Sequence, residues 1–246
     1  MNIIINGASG RMGRMLTEVI EQGGVHGVAA KVDWSYAAGA GLSELKQYEG
    51  PADMVIDFSN HTATAAVTEY CAERGLPVVI GTTGQTEEEM ALIRGAAQSV
   101  PVFLSGNMSL GIAVLADLAK KAAAVFPNAE IEIIERHHDQ KLDVPSGTAL
   151  LLARRIQEAR PEDTLLIGRH ENGKRPAHEI GIHSLRYGNE VGTHEIIIAN
   201  GSETLTLKHE AESRALFAGG ALAAAEYLLG KAPGLYDMKN IVEQEK

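Results

Sequence analysis

Residues 135–150 read ERHHDQKLDVPSGTAL and gather the residue types in this chain best able to do chemistry. His137 and His138 carry imidazoles, which titrate near neutral pH and move protons. Lys141 adds a compact positive charge. Pro145, Ser146, Gly147 and Thr148 open an apolar run, and proline suits the first turn of a helix. A helix start there, running to about residue 160, offers free backbone N–H groups and hydroxyls to an anion. Adjacent histidines are more often strand-end residues than catalytic ones. Lys141 and the Ser-Gly-Thr start reverse that balance and describe a pocket for a small anionic substrate with an acid/base group beside it.

A second constellation stands at the N-terminus. The β-branched run of residues 2–6 leads into Gly7, Ala8, Ser9, Gly10, Arg11, Met12 and Gly13, followed by a helical pattern to about residue 22. Strand, glycine turn and helix form the context of a dinucleotide fingerprint, here spaced GxxGxxG and not GxGxxG. Gly7 permits the turn, Gly10 lets backbone approach a pyrophosphate, and Gly13 lets the helix pack close. Asp33 ends a second apolar run roughly 20 residues past the last glycine, where an acid takes the ribose hydroxyls. An acid there favours NADH by repelling a 2′-phosphate. Lys31 is near enough in sequence to offset it, so NADH and NADPH both stay open.

The elements that must position these groups can be read in outline. Strand-like runs at 53–59, 77–80 and 101–104 alternate with helical stretches at 61–74 and 86–98. That alternation predicts a Rossmann-type doubly wound parallel sheet, whose ligands bind at the carboxyl ends of strands. One rim then carries residues 7–12, Phe58, Ser59, Gly81, Thr82, Thr83, Ser105, Gly106, Asn107 and Met108. Residues 34–52 read as a variable connection. Beyond a helix at 109–126 the pattern changes. Alternating runs at 130–133, 179–187, 193–199 and 204–210 predict an α+β domain with a mainly antiparallel or mixed sheet of about four strands. Asn200-Gly201 is a hairpin signal, and residues 161–178 read as loop. The second sheet's uncovered face suggests a subunit interface. The last helix, 213–229, is expected to pack back on the first domain. The domains expected are 1–108 with 214–246 for the dinucleotide, and 109–213 for substrate and oligomerisation.

Composition narrows the function classes. The 246 residues are 45% hydrophobic with 4% aromatic, and formal charge is −10. That acidity argues against nucleic acid as a partner. Cys71 is the single cysteine, which excludes an internal disulfide framework and fits a reducing compartment. No signal-peptide pattern or membrane-length apolar stretch is visible, so a cytoplasmic protein without a membrane partner is expected. The nine histidines show no HxH or HxxxH pairing and lack cysteine support, so no metal is expected.

Taken together, the motifs resemble one family. ERHHDQKLDVPSGTA resembles the EAHHxxKxDAPSGTA segment of the 4-hydroxy-tetrahydrodipicolinate (dihydrodipicolinate) reductases of lysine and diaminopimelate biosynthesis. GASGRMG, VIDFS, VIGTTG and SGNMSLG look like its cofactor-side segments, and IGIHSLRYGNEVGTHE and GLYDM also match in order. Arg136 and Val144 stand where the family usually has alanine, and Arg136 adds charge beside the histidines. The resemblance implies a homotetramer joined through the second-domain sheets. It also implies reduction of a cyclic imine-dicarboxylate by NADH or NADPH. By position, His137 would be the proton donor, Lys141 a second donor, His138 a substrate contact, and Ser146, Gly147 and Thr148 the carboxylate cradle. Residues 7–12, 81–83 and 105–108 would contact the cofactor. Hydride addition leaves charge on the substrate that a neutral-pH donor must quench, which suits an imidazolium. Closure would bring the two domains' groups together.

Rival readings are another two-domain NAD(P)-dependent dehydrogenase and an NAD-binding regulator without catalysis. An aldehyde dehydrogenase would need a cysteine in the second half. Tyr227 and Lys231 match a YxxxK pattern, but Gly230 should end the helix before the lysine.

Overall fold

Ile3, Ile4 and Ile5 have no exposed surface. A run buried on every side chain marks a strand covered on both faces, as in a parallel sheet. The computed structural model, which describes residues 1–36 and 41–243, places them in β1 (Asn2–Asn6). Residues 37–40, within the expected variable connection, and 244–246 lie outside the described residues. The chain divides into two compact units, Met1–Ser109 with Ala215–Lys246, and Leu110–Arg214.

In unit 1, β1 is followed by α1 (Arg11–Gly23), β2 (Gly27–Val32), β3 (Met54–Asp57), α2 (Thr64–Arg74), β4 (Val78–Ile80), α3 (Glu87–Ala96) and β5 (Pro101–Leu104). Within the expected variable connection a 3-10 turn, Leu45–Gln47, buries Leu45. Local chemistry explains the helix ends. Thr86 and Glu89 form a reciprocal capping box on α3, and left-handed glycines follow α1 and α2. Helix α6 (Ala215–Leu228) packs on α1 and on strands of the same sheet. A short strand β11 (Gly234–Tyr236) then pairs in parallel with β5, giving six parallel strands in the order β11-β5-β4-β3-β1-β2. The sequence pattern did not reveal β11. Three residues after a Pro-Gly stop carry no periodicity, and the strand exists because β5 offers it an edge.

Unit 2 is built from α4 (Leu110–Val125), β6 (Glu130–His137), α5 (Gly147–Gln157), β7 (Thr164–Ile167), β8 (Glu179–Arg186), β9 (Thr193–Asn200) and β10 (Glu203–Glu210). The sheet has five strands, ordered β10-β9-β6-β8-β7. It is mixed: β10, β9 and β6 are antiparallel, whereas β6, β8 and β7 are parallel. The fifth strand, β7, falls in the stretch read as loop, because its short run sits among polar residues. The Asn-Gly hairpin joins β9 to β10, with Gly201 at φ 64°. Alternate residues of β6 are buried. Ile131 and Ile133 join Leu115, Ala119, Leu152 and Ile156 in a core under α4 and α5. The other face of the sheet is charged and paired, as with Glu132 and His183 at 2.8 Å.

Candidate functional site

At the rim of unit 1 the backbone makes the site. Gly7 has φ +79°, and a Cβ there would come well inside 3.0 Å of the Phe58 carbonyl. A Cβ on Gly13 would meet the Gly7 carbonyl just as closely. Both glycines are therefore required by close approach, and together they present the α1 N-terminus beside the end of β1. Gly10 caps α1 in extended conformation without a side-chain acceptor. The first-turn N–H groups are left for an anion such as a pyrophosphate.

Asp57 ties three strand ends together. It is 2% exposed, and it accepts from the Asn6 amide at 2.7 Å, the Ser59 hydroxyl at 2.6 Å and the Thr82 hydroxyl at 2.6 Å. Burial pushes its carboxyl above the usual range, against the pull of those hydrogen bonds. Asn6 and Asp57 were not singled out in the sequence, since a polar strand end is ordinary.

A cavity of about 830 Å³ opens at this rim, and Gly7, Ser9, Gly10, Asp33 and Ser59 are among its lining. Asp33 accepts from the Ser9 N–H at 3.0 Å and from the Ser35 hydroxyl at 2.6 Å. Burial raises its pKa, but these bonds outweigh that and hold it below the ordinary carboxylate value. The other residues expected at the cofactor stand nearby in various roles. Ala8, Thr82 and Met108 are buried, while Arg11 is exposed. The Phe58 ring lies against Gly81, and Thr83 lies beside Gly106. Ser105 donates to the Asn107 carbonyl at 2.7 Å and Asn107 accepts from the Ser109 N–H at 2.8 Å, so residues 105–109 form a self-bonded turn. Met12 is half-buried on α1. The glycine cradle and the acid at the end of β2 fit a dinucleotide.

In unit 2 side chains make the site. Glu135 and His137 are two residues apart on β6 and so share its buried face. Glu135 is fully buried, and its carboxylate lies 2.5 Å from His137 Nδ1. Arg186 donates to both carboxylate oxygens at 2.9 and 2.7 Å, and the Ser146 N–H donates at 3.1 Å. Burial alone would raise the Glu135 pKa, but bonds from His137, Arg186 and Ser146 dominate and hold it far below the carboxylate range. An ionised carboxylate only accepts, so Nδ1 of His137 must carry a proton and Nε2 becomes the working nitrogen. Gly192 passes close to that nitrogen, and a Cβ there would sit 3.0 Å from it.

Ser146, and not Pro145, caps α5: its hydroxyl accepts from the Ala149 N–H at 3.2 Å. The same hydroxyl lies 3.2 Å from His194 Nε2. The His194 ring meets His137 edge-on at 5.2 Å. Burial first, and then the positive charge of His137, push His194 down to about 3, so it is neutral. Lys141 pairs with Asp143 at 2.8 Å. Burial raises the Asp143 pKa, yet Lys141 and the Gly147 N–H lower it further. The α5 N-terminus thus already faces a carboxylate. Gly147 is exposed and Thr148 half-buried. His138 donates its N–H to the Glu190 carbonyl at 2.8 Å, and its Nε2 lies 3.4 Å from Arg214.

Five residues of this cluster escaped the sequence reading: Glu135, Asp143, Arg186, His194 and Arg214. Glu135 had a usable signal, since alternation along β6 puts it on the face of His137. Arg186 and His194 lie in the family-like segment IGIHSLRYGNEVGTHE, but no local pattern placed them beside Glu135 and Ser146, where β8 and β9 bring them. Arg136 alternates to the opposite face and pairs with Glu195 at 3.3 Å, away from the histidines. Among the described residues one group, Glu162, Asp163 and His178, has ligand atoms close enough for a metal. Arg160 Nε lies 2.7 Å from Asp163 and supplies the balancing charge there.

Two family models match successive parts of the chain. Residues 1–108 match the model described as dihydrodipicolinate reductase, N-terminus, and residues 111–242 match dihydrodipicolinate reductase, C-terminus. The chain belongs to the dihydrodipicolinate reductase family. A 4-hydroxy-tetrahydrodipicolinate reductase of Caldanaerobacter subterraneus subsp. tengcongensis is 42% identical, with 99% of each chain covered. One from Clostridium novyi is 40% identical over 99% of this chain and 98% of its own. A solved structure, dipicolinate-bound dihydrodipicolinate reductase from Paenisporosarcina sp. TG-14, superposes with TM-score 0.83 at 26% identity, covering 98% of this chain and 99% of that one. The family member described here is an NAD(P)H-dependent oxidoreductase, with a Rossmann-type parallel sheet and a second, mixed-sheet unit. No helix among the described residues is long and apolar enough to cross a membrane.

Proposed function

We propose that this chain reduces 4-hydroxy-tetrahydrodipicolinate to tetrahydrodipicolinate with NADH or NADPH, in diaminopimelate and lysine biosynthesis. The observation that carries the reading is the buried Glu135 carboxylate, which holds the His137 ring by Nδ1 and is itself fixed by Arg186. A regulator has no use for so costly a buried ion pair beside an imidazole.

The dinucleotide, held at the glycine turn of residues 7–13 and by Asp33, supplies the hydride. Once the 4-hydroxyl has left as water, hydride would add at C4 of the resulting conjugated imine, and His137 would deliver a proton from Nε2 to the neighbouring ring carbon, quenching the enamine charge. Glu135 keeps that ring in one tautomer and one orientation. Lys141 serves as a second donor and as the charge for one substrate carboxylate, giving up its pairing with Asp143 to do so. The second carboxylate takes the α5 N-terminus, at Ser146, Gly147 and Thr148, where N–H groups and the dipole favour an anion. His138, steadied by Arg214, contacts the substrate from the other side of the loop. Residues 81–83 and 105–108 would contact the cofactor when it is bound.

The enzyme works as a homotetramer in the cytoplasm on this reading. The sheet face of unit 2 left uncovered by α4 and α5 supports assembly there, and the single buried cysteine suits a reducing compartment.

The test is NADH and NADPH oxidation followed by absorbance, with substrate generated in situ by a synthase. No rate above background with either cofactor overturns the proposal. His137→Gln should lower kcat by roughly 10²- to 10⁴-fold with nucleotide affinity kept. Near-normal turnover would remove His137 from its role.

A further inference from the structure

Trp34 is 86% exposed, an unusual state for the largest apolar side chain in a folded protein. It is also the chain's single tryptophan. Its backbone is not loose. The Asp33 N–H donates to the Leu42 carbonyl at 2.8 Å, and the Tyr36 N–H donates to the Asp33 carbonyl at 3.0 Å. The Ser35 N–H donates to the Asp33 carboxylate at 3.0 Å. Trp34 therefore rides a pinned turn, and its indole has no aromatic or cationic partner among the described residues. The turn borders the same cavity of about 830 Å³ as the glycine rim, where Leu45, Ala63 and Ala66 add apolar lining.

We propose that the Trp34 indole is the platform on which the adenine of the dinucleotide stacks, and that Trp34 and Asp33 together select a free ribose diol, making NADH the preferred cofactor. The inference rests on the dinucleotide reading of this rim. A flat exposed indole on a fixed turn gains contact area only when a flat ligand covers it. Stacking on a base needs no particular hydrogen-bond pattern. Asp33 is 7% exposed and anionic; its Oδ1 already accepts twice from Ser35, whereas Oδ2 accepts from the Ser9 N–H and retains capacity for a ribose hydroxyl. A 2′-phosphate would bring two negative charges against that carboxylate.

Two nearby lysines that could offset this are paired elsewhere, whereas Arg11 of the glycine turn is exposed. Lys31 pairs with Glu21 at 3.3 Å, and Lys46, the cation among the cavity's described lining, pairs with Glu69 at 2.8 Å. The sequence between Lys31 and Lys46 contains no lysine or arginine, so the turn has nothing to grip a phosphate.

The single tryptophan makes the test direct. Full-length protein is titrated with ADP-ribose and 2′-phospho-ADP-ribose, which lack the nicotinamide, and with NADH and NADPH. Indole emission and calorimetry are read in parallel. ADP-ribose should quench the emission, and NADH should bind at least tenfold more tightly than NADPH. Trp34→Ala should weaken NADH and ADP-ribose roughly tenfold, with Trp34→Phe recovering most of that loss, in keeping with one stacked base. Asp33→Asn should narrow the gap between the two cofactors. ADP-ribose binding with unchanged emission, or NADPH binding as tightly as NADH, overturns the inference and leaves the dinucleotide site standing. Absence of any nucleotide binding by calorimetry overturns both.

Discussion

The glycine rim of unit 1 and the histidine cluster of unit 2 are two ways of building a site. The rim is made of backbone. Its geometry is set by missing side chains at Gly7 and Gly13 and by small polar residues within a few positions of a strand end. The cluster is made of charge. Glu135, His137, Arg186, Ser146 and His194 come from three strands and a helix cap, and each distance depends on the sheet being assembled. A backbone site is specified locally and fails by steric collision. A side-chain network is specified by topology and fails by leaving a buried charge alone.

The contrast can be tested from its larger consequence to its smaller. Glu135→Gln keeps shape but strands the Arg186 guanidinium, and should cost about 3 kcal/mol of stability, the low end for breaking a buried pair. It should also lower kcat while nucleotide affinity holds. Urea unfolding and steady-state rates check this, and an unchanged unfolding midpoint would mean the network is not the support described. Gly13→Ala should cost about 1–3 kcal/mol, as inserting a methyl into tight packing does. Its signature is the reverse: nucleotide affinity falls, while the histidine cluster keeps its pH behaviour. If Gly13→Ala bound NADH normally, close approach at the rim would not be a requirement.

The smallest effect is in pH dependence. Between about 3 and 6.5 the unfolded chain takes up a proton at His194 that the folded chain refuses, so stability rises with pH across that window. His209, also lowered by burial, acts in the same direction. Glu135 adds to the loss only once pH falls below the ordinary carboxylate range, about 4.3. His194→Phe keeps the ring and removes the titration. Thermal melts between pH 5 and 6.5 should therefore depend less steeply on pH than in the parent chain. An equal slope would place the acid sensitivity elsewhere.

Sequence reading reached the rim more fully than the cluster for the same physical reason. The run at residues 2–13 specifies strand, turn and helix within one stretch, and Asp33 sits at a characteristic distance from it. His137, Lys141 and Ser146 were legible because they lie in one segment. Arg186, 51 residues from Glu135, and His194, 48 from Ser146, were not, because no local pattern encodes which strands become neighbours. The same limit hid β7 and β11, whose few residues form strands only against an existing edge. It also left Arg136 beside the histidines on paper, where strand alternation turns it to the other face.

The pairing of Pro101 with Gly234 across β5 and β11 has a consequence for synthesis. All of Leu110–Arg214 is translated between those two residues. On the ribosome, then, unit 2 is complete before the parallel sheet of unit 1 can receive its last strand. Nascent chains stalled after residue 214 should hold a finished β6–β10 sheet beside a parallel sheet still open along β5, and that open edge is where newly made chains would associate wrongly.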